Sequence, residues 1–303
     1  MTTNELHCGV DLGGTKIELI VLEPNGTERL RQRVATPAGD YAATLGAICA
    51  LVGAAEAEVG AIGRVGIGTP GAISKATGLL KNSNSVCLNG QPLPADLENR
   101  LGKPVRIAND ADCFALSEAI DGAAAGAATV FGVILGTGVG AGIVVRGRLL
   151  EGPNAIAGEW GHNPLPWPAD DERPGLSCYC GRAGCIETFV SGPGMAAWHR
   201  RSFGGEPTAE QIAAGAEAGE TECAETMARY EDRLARALAH VINIIDPHVI
   251  VLGGGLSNCQ RLYRRIPQLW GDYVFSDRVD TRLVPPRYGD SSGVRGAAWL
   301  WAD

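Results

Sequence analysis

Three groups of residues in this sequence have types and spacings suited to chemistry. The first is the pair Asn109-Asp110, which follows a strand-like stretch over 105–108. A carboxylate at such a strand end can orient a hydroxyl and accept its proton during phosphoryl transfer. Asp110 suits that part, and the Asn109 amide offers a polyol both a donor and an acceptor. The same dipeptide also reads as a turn capping the next helix, and the sequence leaves both readings open.

The second group is a set of glycine turns, each at the end of an apolar stretch: Asp11-Leu-Gly-Gly-Thr-Lys16, Gly136-Thr-Gly138 and Gly253-Gly-Gly255. Glycine lets backbone N–H groups approach phosphate oxygens without hindrance from a Cβ. None of the turns matches GxxxxGK[ST], and neither 136–142 nor 253–255 carries GxGxxG. Both the P-loop and the dinucleotide fingerprint are therefore excluded. One such turn alone is most often a tight turn. Three together, the first opened by an acid, favour nucleotide binding, with Asp11 placed to approach a hydrated Mg²⁺.

The third group is His162 with Cys178, Cys180 and Cys185, in the run Cys178-Tyr-Cys-Gly-Arg-Ala-Gly-Cys185. Three thiolates and an imidazole make a tetrahedral zinc set with no open position, so the metal would be structural. Unrelated thiols or a Cys178–Cys185 disulfide are the alternatives, and the disulfide fits poorly with a cytosolic chain. Glu159 lies three residues before His162, and Glu187 two after Cys185. A bound metal would pin both carboxylates in place.

The elements that position these groups alternate between strand and helix. Strands are expected over 7–10, 17–22, 65–68, 105–108 and 249–252, with a hairpin of 130–135 and 141–145. Helices are expected over 41–58, 112–119 and 223–245, the last stopped by Asp246-Pro247, and from about 292 to 301. The stretch 151–194 reads as loop. The pattern is α/β, with no internal repeat of fixed period. The 303 residues give a prior of two domains. A net charge of −8 leaves no basic footprint for nucleic acid. No run of 18 apolar residues predicts a membrane span, and the N-terminus shows no signal peptide. Nine cysteines, most of them isolated, read as cytoplasmic thiols.

Taken together, DLGGTK (11–16), AND (108–110), LGTGVGAG (135–142), EWGH (159–162), CYCGRAGCIE (178–187) and LGGG (252–255) resemble the ROK family of bacterial sugar kinases over nearly the whole chain. KNSNSVCLNGQPL (81–93), AGEWGHNPLPW (157–167) and YGDSSGVRGAAWLW (288–301) are similar to its fructokinase/mannokinase branch. Departures are Ser83, Val86-Cys87, and Asp112 where Asn is commoner. The resemblance implies a two-domain actin-like ATPase (ribonuclease H-like) fold with a zinc-binding loop. A smaller domain would comprise 1–108 plus a C-terminal helix over about 290–303, and a larger one 109–289.

Carried over by position, the resemblance makes Asp110 the catalytic base. Asn109, Glu159, His162 and Glu187 would contact sugar hydroxyls, and Gly71 and Asn84 would line the sugar site. Asp11, Gly13, Gly14, Thr15, Lys16, Gly136, Thr137, Gly138, Gly140, Gly254 and Gly255 would cradle ATP with Mg²⁺. His162, Cys178, Cys180 and Cys185 would hold structural zinc. The implied reaction is ATP-dependent phosphorylation of the 6-hydroxyl of D-fructose, with mannose or glucose accepted less well, by a homodimer. An N-acetylglucosamine kinase or glucokinase of the same family is the alternative. ROK transcriptional repressors carry a DNA-binding domain ahead of the first glycine turn. The ten residues before Asp11 and the charge of −8 speak against that reading. A non-enzymatic actin-like protein would leave Asn109-Asp110 and the carboxylates flanking the metal set without a task.

Overall fold

The computed structural model describes residues 6–302. The first sheet begins as a meander, β1 (His7–Leu12), β2 (Lys16–Leu22) and β3 (Glu28–Ala35), paired antiparallel. After α1 (Tyr41–Val59), β4 (Val65–Thr69) lies parallel to β1. A small hairpin of β5 (Ala72–Ile73) and β6 (Leu80–Lys81) follows, then α2 (Leu93–Leu101). The strand β7 (Val105–Asn109) completes the order β3-β2-β1-β4-β7 and runs straight into α3 (Asp110–Ile120).

The second sheet repeats this plan. Its meander is β8 (Thr129–Leu135), β9 (Val139–Val145) and β10 (Arg148–Leu149). A long irregular segment leads to α4 (Glu187–Val190), α5 (Gly192–Phe203), α6 (Ala209–Glu217) and α7 (Thr221–Ile245). Then β11 (Val249–Gly253) pairs parallel with β8, and after α8 (Gln260–Leu269) β12 (Arg282–Val284) pairs parallel with β11. The chain ends with α9 (Ser292–Trp299). Strand order and sense are the same in both sheets. The sequence carries no repeat to announce this, because the sheets share topology and not residues.

Strand residues of β11 are buried along its whole length, which accounts for its unbroken apolar run. By contrast β3, with sequence ERLRQRVA, lies at the sheet edge and has no buried residue. Its Arg31 and Arg33 donate to the buried Glu18 at 2.8 and 2.9 Å. That charged pattern hides the strand from any apolar periodicity. The long helix α7 stops where Asp246 turns left-handed before Pro247.

Two helices stand between the sheets. α3 packs on β8 and β9, and α9 packs on α3, β1 and β4. Small residues allow this: a Cβ on Gly142 would stand 2.7 Å from the Ala111 carbonyl oxygen, and one on Gly296 would overlap the Cys113 carbonyl. Backbone meets backbone there, so the start of α3 is held from both sides.

Two expectations are revised, and a third is examined against the structure. The helix after β7 starts at Asp110 and not Asp112, which puts Asp110 in its first turn. The stretch 151–194 is not all loop, since it contains α4 and the start of α5. Finally, α1 is long and apolar enough to cross a membrane by length and composition, with a mean hydropathy of 1.5. Its Leu45, Ile48, Leu51, Val52 and Ala55 nevertheless pack into the core of the first sheet, and its outer face is mainly Ala and Gly.

Candidate active site

Each half of the site is positioned by a different kind of local structure. On one side, β7 delivers Asn109 and Asp110 to the N-terminus of α3. Asn109 Oδ1 accepts the Ala111 N–H at 2.8 Å, as an N-cap does, and its Nδ2 donates to the Gly71 carbonyl at 3.1 Å. The capping reading and the site reading of Asn109 therefore describe one side chain with both ends engaged. Asp110 Oδ1 also accepts the Ala111 N–H, at 2.8 Å. Gly71 has a φ of 87°, and a Cβ there would crowd the Lys81 carbonyl and, at 2.9 Å, the Ser83 amide nitrogen. Ser83 is itself held by both ends of the Asn89 amide at 2.8 Å, which fixes the loop that presents Asn84.

On the other side the positions come from an irregular loop. A short 3₁₀ turn, Trp160–His162, follows Glu159, and isolated bridges pair Pro164 with Cys185 and Ser177 with Ala183. These fold His162, Cys178, Cys180 and Cys185 together, with all four donor atoms within 4.8 Å of one another. Cys178 Sγ stands 3.5 Å from His162 Nδ1, and Cys180 Sγ 3.6 Å from Cys185 Sγ. Zinc–sulfur bonds of about 2.3 Å in a tetrahedron need sulfur–sulfur edges of about 3.8 Å. The donor set fits a tetrahedral metal. His162 Nε2, the ring nitrogen away from the cluster, meets the Tyr179 hydroxyl at 2.9 Å.

Between the two sides lies a cleft of about 930 Å³, within the roughly 300–1,000 Å³ of small-molecule sites. Of the residues singled out from sequence, it brings together Gly71, Asn84, Asn109, Asp110, Gly136, Thr137, Gly138, Gly140, Glu159, His162 and Cys180. Others lie outside its lining. Glu187 Oε2 accepts the Val139 N–H at 2.9 Å, tying the turn at 136–138 to the loop beside Cys178. Lys16 pairs with Glu18 at 3.5 Å. Asp11, Gly13, Gly14, Thr15, Gly254 and Gly255 are not in the cleft lining, and a Cβ on Gly254 would overlap the Leu135 carbonyl. The third glycine turn thus has a packing reason of its own.

The electrostatics of the cleft are set by crowded carboxylates. Burial raises the pKa of Asp110; the Ala111 N–H partly offsets this, and the charge of Glu159 adds to it. Asp110 still keeps a solvent-accessible face, the one a substrate could reach. Asp11 is pushed up to about 6 by burial and by the charges of Asp110 and Glu18. Asp112 is pushed up to about 7 by burial, then by Glu159, Asp110 and Glu151. A carboxylate of raised pKa facing a cleft is suited to taking a proton near neutral pH. The mutual repulsion of Asp11 and Asp110 is of the kind a divalent cation relieves. Tyr179 also lines the cleft, and its place between two candidate ligands was the available sequence signal.

A model of the ROK family matches residues 7–303. The chain is 40% identical over 299 residues to an N-acetyl-D-glucosamine kinase of Vibrio cholerae, covering 97% of this chain and 99% of that one. It is 41% identical to the enzyme of the same description from Pectobacterium atrosepticum, over 97% and 98% of the two chains. Among solved structures, the ROK hexokinase of Thermus thermophilus superimposes with a TM-score of 0.87 at 28% identity, covering 97% of each chain. A ROK glucokinase of Streptomyces griseus, in complex with glucose and AMPPNP, gives 0.75 at 28% identity over 97% and 98%. The actin-like ATPase fold expected from sequence is thereby shown. The chain belongs to the ROK family and is one of its sugar kinases.

Proposed function

We propose that this kinase transfers the γ-phosphoryl group of ATP to the 6-hydroxyl of N-acetyl-D-glucosamine. The observation that carries the reaction is Asp110, at the first turn of a clamped helix, facing a cleft that the glycine turn at 136–138 also lines. The sugar is supported by the relatives, which match at about 40% over nearly full length and are described as N-acetyl-D-glucosamine kinases. They favour this alternative over the D-fructose expected from sequence.

In this reading the 6-hydroxyl gives its proton to the Asp110 carboxylate as O6 bonds to the γ-phosphorus. The bond from that phosphorus to the bridging oxygen breaks, and ADP leaves. Asn109, Glu159 and His162 orient the sugar hydroxyls, with Gly71 and Asn84 beside them. Glu187 acts through Val139, holding the turn at 136–140 against the phosphates. Asp11 would approach Mg²⁺, which would neutralise charge on the phosphates. His162, Cys178, Cys180 and Cys185 would hold zinc, which would make rigid the loop that carries Glu159 and His162. Closure of the two halves, 1–108 with the C-terminal helix and 109–289, excludes water. Nine cysteines without a disulfide suit the cytoplasm.

The test is ADP production from Mg·ATP with N-acetylglucosamine, glucose, mannose and fructose. N-acetylglucosamine is expected to lead in kcat/KM by at least tenfold, about 1.4 kcal/mol of transition-state preference. A lead for fructose or glucose would refute the choice of sugar.

A further inference from the structure

The cleft has a side branch. A cavity of about 230 Å³ opens behind Asn109 and Glu159, which line both spaces together with Ala72, Ala141 and Ala155. Neither Asp110 nor the turn at 136–138 reaches it, so it leads away from the place where phosphate would be transferred. Ile73, Ile107, Leu149 and Ala157 give it small apolar walls, and Asp112 stands among them. Among the described residues, the Asp112 carboxyl makes no hydrogen bond or ion pair. It is a half-buried carboxyl in the cavity lining, with no protein group paired to it. Lys75 and Glu151, both exposed and 3.6 Å apart, mark the side open to water.

We infer that this cavity takes the N-acyl group of a 2-acylamino sugar, with Asp112 meeting the amide, and that it admits acyl chains longer than acetyl. The inference rests on the reading of the substrate as N-acetylglucosamine. In a pyranose, C2 lies across the ring from C5, the carbon that bears the 6-hydroxymethyl group. A ring with its 6-hydroxyl at Asp110 therefore turns its 2-substituent away from Asp110, toward the branch. An acetamido group has only four heavy atoms, whereas a cavity of roughly 150 Å³ already takes a benzene ring. At about 230 Å³ the branch has room for further methylenes. Its apolar walls suit an alkyl chain, and the Asp112 carboxyl accepts from the amide N–H.

The experiment compares kcat/KM of the enzyme for glucose and for the N-acetyl, N-propanoyl and N-butanoyl derivatives of glucosamine. The three acyl sugars are expected within about tenfold of one another, where a closely fitted pocket loses roughly 10–200-fold per methylene. Asp112→Ala is expected to lose at least tenfold more on the acyl sugars than on glucose. Ala157→Phe is expected to lose at least tenfold more on N-butanoylglucosamine than on N-acetylglucosamine. If N-acetylglucosamine is the preferred sugar but each added methylene costs more than tenfold, or both variants lose equally on every sugar, the cavity assignment is overturned and the substrate reading stands. A wild type that prefers glucose to all three acyl sugars overturns the substrate reading itself.

Discussion

The two walls of the cleft are made rigid by opposite means. The start of α3 is fixed by close backbone packing: Gly142 on one side, Gly296 on the other, and Asn109 capping the helix. The loop carrying Glu159 and His162 has almost no regular structure. It depends on the donor cluster at one end and on a buried ion group at the other. In that group Glu172 accepts from Arg233 at 2.8 Å, from Arg236 at 2.9 and 3.0 Å and from the Ala169 N–H at 2.8 Å. Arg236 also donates to the Pro166 and Trp167 carbonyls, fastening the loop to α7. The difference suggests a division of labour. In the proposed reaction the helix wall carries the reacting group, Asp110, together with Asn109, and the loop wall carries the remaining sugar contacts, Glu159 and His162.

Substitutions that strike one wall and spare the other put that division to the test. The largest effect is expected at Asp110. Asp110→Asn keeps the shape and the Ala111 contact but removes the base, and turnover should fall by about 10²–10⁴ in a steady-state ADP assay. Near-native turnover would contradict the role of Asp110.

Next comes Glu172→Gln, which leaves Arg233 and Arg236 buried and poorly compensated, at a cost of about 3–5 kcal/mol. The exposed pair of Glu206 with Arg200 serves as control, where Glu206→Gln should cost about 0–1 kcal/mol. Equal shifts of the melting temperature would show that the buried group does not anchor the loop. Burial alone would raise the pKa of Glu172, but the Arg236 and Arg233 guanidinium groups hold it down to about 2. A depressed pKa means that its stabilisation is complete above the ordinary carboxylate range. That stabilisation drains away as pH falls toward 2.

The smallest effect is expected at the donor cluster. Cys180→Ser should release the metal and raise the sugar KM by roughly 10–100-fold, the scale of losses when a metal site's support is removed. The ATP KM should change far less. Unchanged sugar affinity in a metal-free protein would separate the loop from sugar binding.

Residues of distinctive chemical type were the most legible in the sequence. Cys178, Cys180, Cys185 and His162 came together as expected, because ligand chemistry fixes both type and spacing. Asp110 and Glu159 likewise reached one cleft. The sequence could not show that Gly254 is needed for packing against Leu135, or that Glu187 would spend an oxygen on the Val139 N–H. Both depend on long-range approach between chain segments. For the same reason, Gly296 reads as one small residue among several, although it lets α9 touch α3. The edge strand β3 was hidden by its charges. Asp112 stood out in the sequence only as a departure, and its meaning appeared with the cavity around it.

The division between the walls is tested most directly by calorimetric titration of N-acetylglucosamine into the wild-type, Asp110→Asn and Cys180→Ser proteins in parallel with turnover. The account predicts that Asp110→Asn binds the sugar within about tenfold of wild type while turning over at least a hundredfold more slowly. Cys180→Ser should lose sugar binding by more than tenfold. If Asp110→Asn abolished sugar binding and Cys180→Ser left it intact, the helix wall would be the sugar-binding wall and the account would be wrong.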